Sequence, residues 1–220
     1  ISLGLVGSEM CIRDRYYKEA KTFFTPGSPM STGAGGTEAM QGSLEKGRAM
    51  LKEAGYKGEK VVLLAPADQP IAYNQSLVTQ ELLKNLGMTV DLISTDWATF
   101  IGRRANRGPV EQGGWSVFHT LWSGADVLNP ALHPLIRANG EAAWFGWPKD
   151  EALEGLRDQW IATDNEARQK ELAAQIERRA FEVVPYAPGG LVQQPMAYRD
   201  SLKGMVLSPV QFFWNMEKAA

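Results

Sequence analysis

The amino-acid sequence predicts an α/β fold, and three features carry that expectation. The run EKVVLLAP (59–66) has the apolar continuity, the length and the closing proline of a buried strand. The segment MTVDLIST (88–95) alternates along its length, with Met88, Val90 and Leu92 on one side, as a second strand does. Between and around these strands lie helical patterns. Strands that alternate with helices of this length form a sheet covered by helices.

Taken in order, the chain opens on 1–15, ISLGLVGSEMCIRDR, which has an apolar run but neither the basic leader nor the cleavage site of a secretory signal. It reads as an adapter-like, non-native segment and is set aside, and Cys11, the only cysteine, goes with it. Residues 16–42, with FFTPGSPMSTGAGG at their centre, read as a flexible Pro/Gly-rich connector. Gly33, Gly35 and Gly36 do not make a phosphate loop, because no Lys-Ser/Thr follows and no strong strand precedes.

Ser43 is placed to cap a helix that stops at Gly55. After the first strand, a helix over 71–86 presents Ile71, Val78, Leu82 and Leu86 as its apolar face, and Gly87 ends it. Asp96 caps a short helix, DWATFIGRRAN, and WSVFHTL (115–121) is a third strand. Two consecutive helices follow over 149–163 and 165–184. In the second, Leu172, Ile176, Ala180 and Val184 recur at four-residue steps, opposite a face carrying Arg168, Glu171, Arg178 and Arg179. The tail from Pro185 is rich in Pro, Gly and β-formers and suggests two short strands, GLVQQPMAYR and then MVLSPVQFF.

Composition narrows the function. The net charge of −2 gives no electrostatic footprint for nucleic acid, and no window approaches the roughly 20 apolar residues of a membrane-spanning helix. The two histidines, His119 and His133, lack metal-ligand spacing, and no G-x-S-x-G elbow occurs. No cofactor or metal is expected. The stretch 115–150 holds four of the seven tryptophans and both histidines. Aromatic surface beside a carboxylate grips a small polar ligand, and Asp126 lies four residues beyond Trp122, after the third strand's C-terminal end, where open α/β sheets collect ligands. Two alternatives stay open. Trp115 reads as core, and Trp144 with Trp147 as packing for the next helix, with Asp126 a turn residue capping its own backbone. Asp126, Glu141 and Asp150 could also serve a carbohydrate-active enzyme or glycan-binding groove.

Five blocks, in order, carry a family resemblance: LEKGRAMLKEAGY, ELLKNLGMTVDLISTDWATF, GGWSVFHTLWSGAD, a helical segment ending ERRAFEVVPYAPGG, and AYRDSLKGMVLSP. Over about residues 43–220 the sequence resembles the extracellular solute-binding proteins of family 5, the dipeptide-, oligopeptide- and nickel-type binding components of ABC importers. The resemblance implies a two-lobed, periplasmic-binding-protein-like type II fold with the ligand held between lobes. It makes 43–195 most of the second lobe and 196–220 a segment returning to the first, with the N-terminal lobe and a signal sequence expected upstream. It further implies a non-enzymatic subunit, monomeric when full length, in the periplasm or as a cell-surface lipoprotein. Such a subunit captures a small peptide or peptide-like solute for a membrane permease. Four positions correspond to ligand-binding ones: Trp97 and Trp122 lining the pocket, Asp126 on the ligand's α-ammonium, and His119 facing its carboxylate. SGAD is one residue longer than the family's usual spacing at this aspartate.

Overall fold

The structure is a computed structural model in which residues 16–193, 195–206 and 212–218 are described. The chain divides into two compact units, Gln41–Leu121 and the segments on either side of it, up to Met40 and from Trp122 onward. The division cuts across the span 43–195.

The unit Gln41–Leu121 has the alternation expected. Helix α1 (Leu44–Glu53) begins at Ser43, whose side chain accepts a hydrogen bond from the Lys46 amide. Strand β1 (Lys60–Pro66) is buried from Val61 onward. Helix α2 (Pro70–Asn85) leads to β2 (Thr89–Thr95) and then to α3 (Trp97–Arg104). Asp96 caps α3, accepting from the Thr99 amide at 3.0 Å and its hydroxyl at 2.6 Å. Strand β3 is only Val117–Phe118. The sheet is parallel with β1 in the middle, Lys60 opposite Thr89 through Pro66 opposite Thr95, and Leu63 opposite Val117. A central strand is covered on both faces, which explains the unbroken apolar run.

Two expectations fail here. The face of α2 that is buried is Ala72 and Ser76, whereas Val78 is 70% exposed and Leu82 48%. Small side chains let the helix backbone lie close to the sheet, and Ser76 satisfies its hydroxyl on Ala72 O (2.9 Å). The third strand ends at Phe118 and not at residue 121.

The other unit is built on an antiparallel-sequence pair of helices, α4 (Glu151–Ala162) and α5 (Glu166–Val183), capped by Asp150 and Asn165. Leu153, Leu156 and Trp160 of α4 and Ala173, Ile176 and Ala180 of α5 share one core with Phe23, Phe24, Met30, Ile136 and Ala138. Val184 does not join the α5 stripe. It is the C-cap, at φ 48° and 57% exposed, a left-handed conformation that strains a β-branched residue.

Residues 16–42 are mostly irregular, with a short helix at Gly36–Ala39, and they do not form a loose connector. Phe23 and Phe24 are 2% and 1% exposed, and Tyr17–Lys18 pairs antiparallel with Leu191–Val192. The reason is a buried carboxylate. Glu177 of α5, wholly inaccessible, accepts from the amides of Phe23 (3.3 Å), Thr32 (3.0 Å) and Ala34 (3.3 Å) and from the hydroxyls of Thr22 and Thr32. The carboxylate thereby gives these backbone amides the acceptors that regular structure provides elsewhere. In the tail, Leu191–Val192 lies within the first expected strand, whereas the pair Leu202–Lys203 and Glu217–Lys218 falls outside both expected segments, and 207–211 lie outside the described residues.

Candidate ligand-binding site

The four candidate residues divide evenly between the two units. In Gln41–Leu121, Trp97 and His119 both stand just past the carboxyl ends of parallel strands, Trp97 two residues after β2 and His119 immediately after β3. This is where parallel sheets present ligand-binding groups. The Trp97 amide donates to Asp68 Oδ2 (3.1 Å), beyond the end of β1, which ties two strand ends together.

The Trp97 ring is held on an aromatic stack. It lies nearly parallel to Phe100, with centroids 5.1 Å apart, and Phe100 meets Phe118 edge-on at 5.7 Å. The Arg104 guanidinium sits 5.8 Å from the Trp97 ring, 5.2 Å from Phe100 and 5.5 Å from Phe118. A cation over three ring faces is attracted to each. Trp115, expected as core, is half-buried against Phe118, and its indole N–H donates to Arg104 O (3.0 Å).

His119 is half-buried, and its Nε2 is shielded from solvent with no hydrogen-bond partner among the described residues. Desolvation holds its pKa below the usual 6.5, so the imidazole is neutral at neutral pH. The charged form is confined to more acidic pH than its ordinary value implies.

In the other unit, Asp126 is exposed on a short 3-10 turn, Gly124–Val127. Its expected role as a backbone cap falls to neighbours. Ser123 Oγ accepts from the Ala125 amide at 3.2 Å, and Asn129 Oδ1 accepts from Ala131 and Leu132, both at 3.0 Å. With that local work done by others, the Asp126 carboxylate is left to solvent. Trp122, 38% exposed, meets Trp144 edge-on with centroids 5.7 Å apart, and Trp144 in turn packs on Phe145 at 5.1 Å. The sequence separates Trp122 and Trp144 by 22 positions with no shared periodicity, so nothing in the pattern signals the pair. Trp144 stands beside Trp122.

The glycosidase-like alternative loses one of its acids. Asp150 caps α4 through the Leu153 amide (2.7 Å) and is bound by Arg179 through two contacts, at 2.5 and 3.1 Å. Those bonds hold its carboxyl below the usual range, the Arg179 contact foremost, and leave it no proton to donate. Among the described residues no three His, Cys, Asp or Glu cluster in a way that could hold a metal ion, and no helix is long and apolar enough to cross a membrane.

Residues 12–140, more than half of the chain, match the profile of the bacterial extracellular solute-binding proteins, family 5. The chain belongs to this family. The match takes in all of 16–42 and also 12–15, part of the opening stretch set aside above, which lies outside the described residues. A probable peptide ABC transporter periplasmic-binding protein of Sinorhizobium fredii is 36% identical over 178 residues, 81% of this chain. The chain spans only 34% of that relative's length. Among solved structures, a Pseudoalteromonas dipeptide-binding protein in complex with Met-Leu superposes with a TM-score of 0.72 at 16% identity, over 96% of this chain and 42% of that one. An oligopeptide-binding protein of Thermus thermophilus complexed with a pentapeptide gives 0.70 at 17% identity, over 92% and 38%. PBP AgaA of A. tumefaciens, in complex with agropinic acid, gives 0.71 at 19% identity, over 87% and 38%. The fold is the type II periplasmic-binding-protein fold, of which this chain is a part.

Proposed function

We propose that this family 5 chain is part of the substrate-binding subunit of an ABC-type importer, one that captures a small peptide or peptide-like solute and hands it to a membrane permease. The relative from Sinorhizobium is named as a peptide-binding component, which supports the ligand class. The observation that carries the reading is Asp126, a carboxylate exposed on a turn whose capping is done by its neighbours, with the Trp122–Trp144 pair in the same unit. A carboxylate of this kind binds an ammonium through charge-assisted hydrogen bonds, and ring surface excludes the water that would screen them.

In this reading Trp122 and Asp126 take the amino end of the ligand, while Trp97 and His119 serve as further wall and carboxylate donor. The span 43–195 belongs to the second lobe and 196–220 returns toward the first. Capture occurs by lobe closure, driven by ligand contacts made to both lobes, and no bond is made or broken. The subunit works in the periplasm or at the cell surface, as a monomer.

Titration calorimetry of the full-length protein with a pool of di- and tripeptides tests the reading. Asp126→Asn and Trp122→Ala are each expected to weaken binding about tenfold or more. Unchanged affinity for every pool member in both variants rules the reading out.

A further inference from the structure

The turn that carries Asp126 does not hold its own position. It is gripped from residues 16–42, a segment that otherwise has no role in the site. The Thr25 amide donates to Val127 O at 3.1 Å, and the Thr25 hydroxyl donates to Gly124 O at 2.5 Å. These two acceptors are the first and last residues of the 3-10 turn Gly124–Val127, so a single residue fastens both ends of the turn with Asp126 between them. Ser28 Oγ reaches Leu128 O, one residue beyond, at 3.4 Å.

The fit is close on the other side as well. A Cβ built on Gly124 would stand 3.2 Å from Thr25 Cγ2 and 3.3 Å from Thr25 Oγ1, tighter than ordinary contact, so the absence of a side chain at 124 lets the threonine approach. Thr25 itself is anchored. It follows Phe24, which is 1% exposed in the core, and Phe23, whose amide donates to the buried Glu177. The turn is thereby referenced to the packed helix α5, and not to a free loop.

We infer that Thr25 is the positioning residue for Asp126, setting where the carboxylate meets a ligand ammonium. The inference rests on the reading of Asp126 as the ammonium partner. The turn is clamped at both ends, so the carboxylate between them keeps one location. A hydrogen-bonding group displaced by about 1 Å from its partner loses much of the interaction, because these bonds weaken steeply with distance and angle.

The test compares two peptide pools on the full-length protein, one of di- and tripeptides with free amino ends and the same pool N-acetylated, which has no ammonium. Thr25→Val keeps the shape and removes the hydroxyl, and Thr25→Ser restores it. Thr25→Val is expected to lower the preference for the free-amine pool about tenfold, and Thr25→Ser to keep it within about twofold of the unsubstituted protein. Gly124→Ala, which crowds the same contact from the turn, is expected to lower the preference while leaving the melting temperature close to that of the unsubstituted protein. A destabilised fold without a positioning defect would instead weaken both pools alike. If Asp126→Asn abolishes the preference but Thr25→Val and Gly124→Ala retain it, the inference is wrong and the functional reading stands. If Asp126→Asn retains the preference, or the unsubstituted protein holds neither pool, both are overturned.

Discussion

In the unit Gln41–Leu121 the fully buried side chains on the sheet include Val62, Leu63, Leu64 and Ala65, with Phe100 packed on Val62 and Leu64, and the backbone they cover is paired strand to strand. In the unit built on α4 and α5 the buried set includes Glu177, His133 and Arg157, and much of the backbone around them is irregular. The difference follows from where backbone donors and acceptors find partners. A parallel sheet satisfies its own amides, so its strands need no buried polar side chain to serve them, and the polar side chains buried in this unit, Ser76 and Arg104, come from the helices. Irregular loops cannot satisfy theirs, so buried polar side chains take over. Glu177 collects the amides and hydroxyls of 22–34. The Arg157 guanidinium donates twice to Pro130 O (3.2 and 3.1 Å) and twice to Glu154 (2.9 and 2.7 Å), whose Oε1 also accepts from the Ala138 amide. Buried charges are tolerated there because each is saturated with hydrogen bonds.

The comparison is broken most severely at Glu177. Glu177→Ala orphans several buried donors at once, and at about 1–3 kcal/mol for each unsatisfied group it is expected to cost at least about 4 kcal/mol in urea denaturation. In the sheet, Leu63→Ala acts by cavity alone and is expected to cost about 3 kcal/mol. If the two effects ranked the other way, the hydrogen-bonding account of the irregular unit would fail.

Acid titration sharpens the same contrast. The Leu135 amide donates to His133 Nδ1 (3.2 Å), which places the ring proton on Nε2, within 2.9 Å of Phe23 O and of the Tyr186 hydroxyl. Burial, with the nearby Arg157 charge adding to it, lowers the His133 pKa from 6.5 to about 4, although the Phe23 carbonyl opposes the shift. The folded state disfavours the protonated ring. The associated stability is therefore full above pH 6.5 and is lost as pH falls from 6.5 through 4, by roughly 3 kcal/mol. His133→Gln should flatten denaturation midpoints over that window. Asp150, whose carboxyl is held low by Arg179, releases its contribution only at more acidic pH. The smallest effect is expected on α2, where Val78→Ser lies on an exposed face and should change stability by no more than about 0.5 kcal/mol. A cost above 2 kcal/mol would show that this face is covered.

The α/β unit was legible because its signals are local. The apolar run of β1, the alternation of β2 and the caps at Ser43 and Asp96 each act within a few residues. The buried face of α2 was misread for a related reason: Ala72 and Ser76 face the sheet because they are small, and apolar periodicity ranks them below Val78 and Leu82. Of the candidate residues, Trp97 and His119 are singled out through the family resemblance and not by position: the expected third strand runs to residue 121 and takes in His119, and only the structure places both just past strand ends. The supports of the site were not legible, because Thr25 and Gly124 lie 99 positions apart, as do Phe23 and Glu177 at 154.

The sequence by itself thus determined the α/β class, the alternation of strands with helices and the family, since periodicity, caps and ordered motifs are properties of short stretches of chain. Tertiary structure alone decided that residues 16–42 enter a core, that Trp144 stands against Trp122, and that Asp126 is left to solvent on a clamped turn. Each of those depends on which distant backbone groups need partners once burial has removed water, and no local pattern records that.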